Sequence, residues 1–396
     1  MTASSDALGP PRLTLAALFL KFLRFGFLAF GGPVAQIAMI RRALVDEERW
    51  ISSPRFNRLL AVMQVLPGPE AHELCVHMGM MARGRIGGLL AGLGFMLPGF
   101  VLMLAAAWLY ERFIAGQTGL TGLLLGVQIV VVAIIIRAVQ RIGAHVLEDQ
   151  LLWILAIGAF VASLLHAPFW IPLVACGLIY AVEQRPWLAV AIAAVAILTA
   201  VLLGAGFDVT PPAVPISSEA SPQLVALFVA GLKGGLLTFG GAYTAIPYVR
   251  ADTVGRGWLP DGVFLDGVAI AGVLPAPLVI FGTFTGYVVG GWAGALAVTA
   301  GIFLPAFAFS MVLFNHLEAV VESPALHRLL AGVAAAVVGV IAATSLQLAW
   351  TTAQSASSLW IAGAIFLVAL IAAWRIKPRW TPILILGGAV AGRVTL

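Results

Sequence analysis

The chain has 396 residues, 61% of them hydrophobic and only 10% charged, with a formal net charge of +5. A soluble domain carries about 25% charged residues, so a soluble fold is excluded and an all-α integral membrane protein of many spans is indicated. The apolar runs are continuous rather than alternating, which excludes a β-barrel, and a basic balance in such a chain reflects cytoplasmic loops, not nucleic-acid binding.

In chain order, residues 1–12 are polar and lead into an apolar segment without a clear cleavage site. They read as an N-terminal tail, not a signal peptide. Residues 13–183 form a first transmembrane repeat with predicted elements at 13–45, 56–82, 86–113, 120–140, 151–165 and 170–181. Residues 184–222 hold an unpaired helix at 187–203 and a linker carrying Pro211, Pro212 and Pro215, which reads as a loop. Residues 223–396 form a second repeat with elements at 223–249, 262–289, 293–317, 326–350, 359–374 and 380–392. Cys75 and Cys176 both fall in apolar segments and read as free buried thiols.

The repeat rests on three matched breakers. Phe30-Gly31-Gly32-Pro33 returns as Phe239-Gly240-Gly241, an offset of 209. Leu66-Pro67-Gly68-Pro69 returns as Leu274-Pro275-Ala276-Pro277, an offset of 208. Leu97-Pro98-Gly99-Phe100 returns as Leu304-Pro305-Ala306-Phe307, an offset of 207. Late tryptophans align as well, Trp153 with Trp360 and Trp170 with Trp380. Matched Gly/Pro-interrupted segments in two halves point to a transport site between the repeats.

Loop charge sets orientation. Arg41, Arg42, Arg49, Arg55 and Arg58 follow the first element, and Arg83 and Arg85 the second. Arg137 and Arg141 end the fourth. The counterparts in the other half are nearly bare. Arg375, Lys377 and Arg379 reverse the pattern late in the chain. Two inverted-topology repeats are therefore expected. Basic pairs on both sides of the second element place its two ends on one face. Its arms around Pro67 and Pro69 fall short of the ~20 residues a span needs. A re-entrant helical hairpin with its tip at 66–69 follows, with a matching tip at Pro275 and Pro277.

The same reading nominates site residues. Helix starts after Gly31–Gly32, Gly68 and Gly240–Gly241 present unpaired N–H groups that bind anions; simple kinks or close packing are the alternative. Arg24 lies seven residues before Gly31, and Lys233 seven before Gly240, close to two helical turns. Each cation is therefore expected to share a face with its Gly-Gly and to line the site. Glu70, His72, Glu73 and His77 follow the first tip, where the other half has Leu278, Ile280, Phe281 and Thr285. They are candidates for proton coupling, with helix capping as the alternative for Glu70. His72 and His77 are five residues apart and do not share one face as a zinc pair does, so no metal is expected. Glu111 and Glu318 end the third elements and read as interfacial. The nucleotide-binding Gly-x-x-x-x-Gly-Lys-[Ser/Thr] run is not found, so neither a cofactor nor catalysis is expected.

Phe30-Gly31-Gly32-Pro33, Leu66-Pro67-Gly68-Pro69-Glu70-Ala71 and Phe239-Gly240-Gly241-Ala242-Tyr243 with Ile246-Pro247-Tyr248 resemble the chromate ion transporter family in its long two-domain form. The chain departs at Ala276, where the family often has Gly, and at His77, in a region where it often has Tyr. The resemblance implies an inner-membrane secondary transporter that exports chromate, an oxyanion similar to sulfate. Protons or a counter-anion are the coupling partners expected and a homodimer the assembly considered; a first element built likewise as a hairpin around Gly31–Pro33, rather than spanning, places the N-terminus in the cytoplasm. An anion channel, a sulfate carrier and a membrane-embedded metalloenzyme are the competing readings.

Overall fold

The computed structural model describes residues 9–11, 13–63, 66–206, 224–238, 242–312, 324–376 and 380–396. Gly240, Gly241, the Pro-rich linker, Glu318, Lys377 and Arg379 lie outside the described residues. Every regular element among the described residues is helical. Four helices are long and apolar enough to cross a membrane. Large apolar side chains cover the outside, Trp360 being 91% exposed and Val190 69%, as expected where the surrounding solvent is lipid.

The first half comprises α1 (Leu15–Phe27), α2 (Gly32–Arg41), a π-helical turn (Arg42–Glu47), α3 (Ser53–Met63), α4 (Glu70–Phe113), α5 (Thr121–Val146), α6 (Gln150–Leu164) and α7 (Trp170–Ala181). Helix α8 (Pro186–Gly206) joins the halves. The second half comprises α9 (Leu224–Leu236), a 3-10 turn (Ala242–Ala245), α10 (Ile246–Thr253), α11 (Asp261–Val273), α12 (Phe281–Val312), α13 (Pro324–Gln354), α14 (Leu359–Arg375) and α15 (Thr381–Thr395). Both thiols, Cys75 and Cys176, are free and buried.

The first element is two helices, not one. Gly31 and Gly32 adopt left-handed φ of 87° and 76°, which glycine takes at no steric cost. Pro33 then opens α2, its ring suiting a first turn that has no N–H partner to offer. This corrects one expectation. Arg24 and Gly31 do not share a helical face, because α1 stops at Phe27. The matching expectation for Lys233 and Gly240 involves a residue outside the described ones.

Helix α4 is folded double. Arg83 (φ −145°, ψ 29°) and Gly84 (φ 61°, ψ −154°) break it. In α12, Gly290 (φ −139°, ψ 22°) and Gly291 (φ 60°, ψ −151°) break it in the same way. A straight helix would hold Gly79 and Gly87 about 12 Å apart. Instead a methyl group on either would strike the other's carbonyl oxygen, and Gly286 and Gly294 stand in the same relation. The arms of each helix therefore run antiparallel in close contact. The second arm of α4 packs on α1, and that of α12 on α9.

The fourth helices are exchanged. Helix α5 of the first half packs on α14 and α15 of the second, whereas α13 of the second packs on α6 and α7 of the first. Glycines seat both crossings, Gly126 against Gly388 and Gly332 against Gly177. The halves interlock rather than abut.

Close backbone approach makes a definite expectation. Gly79→Leu should open the α4 hairpin and destabilise the protein by about 1–3 kcal/mol or more, as overpacking does. Gly387→Leu, at a position where an added Cβ meets only open space, should leave thermal unfolding in detergent nearly unchanged. Equal melting of the two variants would contradict the hairpin.

Candidate functional site

The breakers of each half dock on those of the other. At the first tip, the Gly68 N–H donates to the Thr238 carbonyl at 2.8 Å. Thr238 directly precedes the second Phe-Gly-Gly. A methyl group on Gly68 would stand 3.2 Å from Ala306 Cβ, in the third breaker of the second half. At the second tip, Ala276 packs against Gly99, in the third breaker of the first half. The Gln36 amide donates to Ala276 O at 3.0 Å and to Ala29 O at 2.8 Å. Gln36 belongs to α2, just past the first Gly-Gly, and is 1% exposed. Each tip thus touches the third matched segment of the opposite half and a residue beside its first.

A cavity of about 140 Å³ opens between the α2 start and the second tip. Gly31, Gly32 and Pro33 line one side, and Leu274, Ala276 and Leu278 another. Arg137 and Arg141 of α5, Tyr243 and Thr381 supply its polar side chains. Four residues apart, the two arginines project from one face of α5. Arg137 also donates to Gln140. Arg141 makes no ion pair with a described residue and stands within Coulombic reach of Glu70 and Tyr243. No acidic side chain is among the described lining residues. The α2 N-terminus adds a partial positive charge and free N–H groups. Room for several waters, two guanidinium groups and a helix start together make a receptor for a small anion.

The sequence-nominated residues separate into groups. Gly31 and Gly32 line the cavity, and Gly68 sits at the first tip with Pro67 and Pro69 outside any helix. Pro275 and Pro277 flank the second tip, also outside any helix. Arg24 is exposed on α1 and is not among the lining residues. Lys233 pairs with Asp252 at 3.0 Å, and its Nζ stands 5.9 Å from the Phe169 ring centroid. Lys21 likewise bonds Glu48 at 2.6 Å. Glu70, His72, Glu73 and His77 are all buried. They lie on the first arm of α4, with the His72 ring 4.9 Å from Phe303 and 4.7 Å from Phe307.

Arg137, Arg141, Tyr243 and Gln36 were not nominated by sequence. The arginines look like loop charge at a helix end. The available signal was their four-residue spacing inside a segment that stays apolar past them.

A protein-family model described as "Chromate transporter" matches residues 16–198 and 225–393. The chain is 55% identical over 396 residues to a "Chromate transport protein" of Pseudomonas aeruginosa, covering 98% of this chain and 94% of that protein. It is 30% identical over 398 residues to a "Chromate transport protein" of Cupriavidus metallidurans, covering 99% and 96%. A "Probable chromate transport protein" of Synechococcus elongatus is 28% identical over 391 residues, covering 96% of each chain. No solved structure matches.

The cavity makes its own prediction. Arg141→Ala should weaken binding of a tetrahedral oxyanion, with sulfate as the calorimetric probe, at least tenfold, about 1.4 kcal/mol. Arg141→Lys should lie between, since an ammonium lacks the planar donor fork. Unchanged sulfate affinity in Arg141→Ala would remove the cavity from consideration.

Proposed function

The chain belongs to the chromate transporter family, and we propose that it exports chromate across the bacterial inner membrane by secondary active transport. The observation that carries this reading is the reciprocal docking of the tips beside a cavity lined by Arg137 and Arg141. Chromate is a tetrahedral dianion. Paired guanidinium groups and a helix N-terminus suit such an ion.

The transport geometry we propose is two inverted repeats. Basic loops that alternate between halves support opposite orientations. Helices α3, with 11 residues, and α11, with 13, lead to the tips. They reach only about 17 and 20 Å, short of the ~30 Å hydrocarbon core. In this reading each hairpin enters and leaves on one face, the first from the cytoplasm. The N-terminus then lies in the cytoplasm. Broken backbone at membrane depth is tolerated where protein covers it or a cavity meets it, as at both tips. Rocking of one half on the other would expose the cavity to either side in turn.

Everted membrane vesicles test the reading. Labelled chromate should accumulate against its own gradient, a protonophore should collapse that accumulation, and sulfate should compete. Downhill flux insensitive to protonophore would make the protein an anion channel. Arg141→Ala should cut chromate uptake at least tenfold at equal protein level. Loss in Arg24→Ala alone would move the oxyanion site to α1.

A further inference from the structure

The first tip is the counterpart of the second in the repeat, and its chemistry differs. The second-tip offset carries Leu278 back onto Glu70, and the fourth-element alignment carries Arg141 onto Gln347. Where the second tip carries Leu278, the first carries Glu70 and Glu73, and Gln347, in the place matching Arg141, is itself uncharged and accepts from Arg250 at 3.0 Å. The backbone is repeated but the charge is not.

Behind Glu70 the arm buries Glu73 completely, at 0% exposure. Neither Glu73 carboxylate oxygen has a hydrogen-bond partner among the described residues. The carboxylate folds back onto the first tip, where a methyl group on Gly68 would strike Oε1 and stand 3.0 Å from Cδ. The tip is the same loop that bonds Thr238 and packs on Ala306. The Glu73 carboxylate is therefore in contact with a joint between the halves.

The neighbours supply little charge. On its own arm stand Glu70, His72 and His77. Across the hairpin the Phe95 ring stands 6.5 Å from the His72 ring. Helix α12 sets Phe303 and Phe307 against the His72 ring, and its Ser310 hydroxyl donates to the Glu73 backbone carbonyl at 3.4 Å. Arg141 of α5 reaches Glu70 electrostatically, and Arg55 of α3 reaches His77. No cation among the described residues pairs with Glu73. A bare charge in such a place costs several kcal/mol. An intramembrane carboxyl without a structural partner marks an ion or proton pathway.

We infer that Glu73, with Glu70 at its entrance, is the binding site of the cation that couples transport, and that this cation is a proton. A metal cation gathers about six oxygen ligands, whereas neither oxygen of this carboxyl has a polar partner among the described residues. Proton gain or loss at Glu73 alters the fit of the first tip against the second half. The oxyanion acts on the second tip. Interlocked halves tie the two events together, each on its own face of one pseudo-symmetric joint. The inference rests on the oxyanion-transport reading above.

The test uses full-length protein in proteoliposomes loaded with a pH dye, at alkaline pH where chromate itself holds no exchangeable proton. A chromate gradient should drive proton movement in the wild type, at a fixed ratio of protons to chromate. In Glu73→Gln that ratio should fall at least tenfold, whatever rate of chromate movement remains. Glu73→Asp, which keeps a carboxyl, should retain it. The inference is overturned if the wild type moves chromate with no protons, or if Glu73→Gln keeps the wild-type ratio. Chromate movement driven by a sodium gradient at fixed pH would overturn the proton assignment. A wild type that moves no chromate at all would overturn the transport reading itself, and this inference with it.

Discussion

A peptide group freed from a helix inside a membrane protein must find a partner within the protein. The rest of this structure depends on that constraint. Gly and Pro interrupt the helices at both tips, at the Gly31–Gly32 start of α2 and at the Gly84 and Gly291 reversals. The third matched pair, Pro98 and Pro305, stays inside α4 and α12, contrary to the expected break. The partners for the broken backbone come from the opposite half: Thr238 accepts from Gly68, and Gln36 bonds both Ala29 and Ala276. A tip left without its partner half would strand N–H and C=O groups at a cost of several kcal/mol each. The same dependence recurs in the helices, since α5 and α13 each pack on the late helices of the other half. Neither half satisfies its own backbone or covers its own apolar faces.

Function then follows from what the repetition omits. The breaks in α4 and α12 have nearly the same dihedral angles. Side-chain chemistry at the tips is not repeated. Arg137 and Arg141 have uncharged counterparts in α13, and Glu70 and Glu73 have apolar counterparts beside the second tip. A two-fold scaffold with opposite charge at its two joints can hold an anion at one and a proton at the other. In the proposed cycle, pseudo-symmetry would supply two comparable conformations, and asymmetry of charge a reason to prefer one.

Much of the framework was legible in the sequence. Punctuation by Gly and Pro survives translation into structure because φ restrictions are local: the predicted gaps at 83–85 and 290–292 enclose the reversals at Gly84 and Gly291. Long-range pairing was not legible. No periodicity states that Gly68 meets Ala306, or that Ala276 meets Gly99. The expected shared face of Arg24 and Gly31 failed for a related reason. Treating α1 as continuous through Gly31 put Arg24 on the glycine face, but left-handed glycine ends the helical phase at Phe27. Conversely, ending the fourth element early made Arg137 and Arg141 look like loop charge, whereas α5 runs to Val146 and carries both into the cavity wall.

The most direct measurement is a density map of the chromate-loaded protein, with chromium located by its anomalous signal. This account places the metal atom of the oxyanion between Arg141 and the Gly31–Gly32 start of α2, against the second tip. Chromium beside Arg24 or Lys233, with the cavity free of it, would contradict the account.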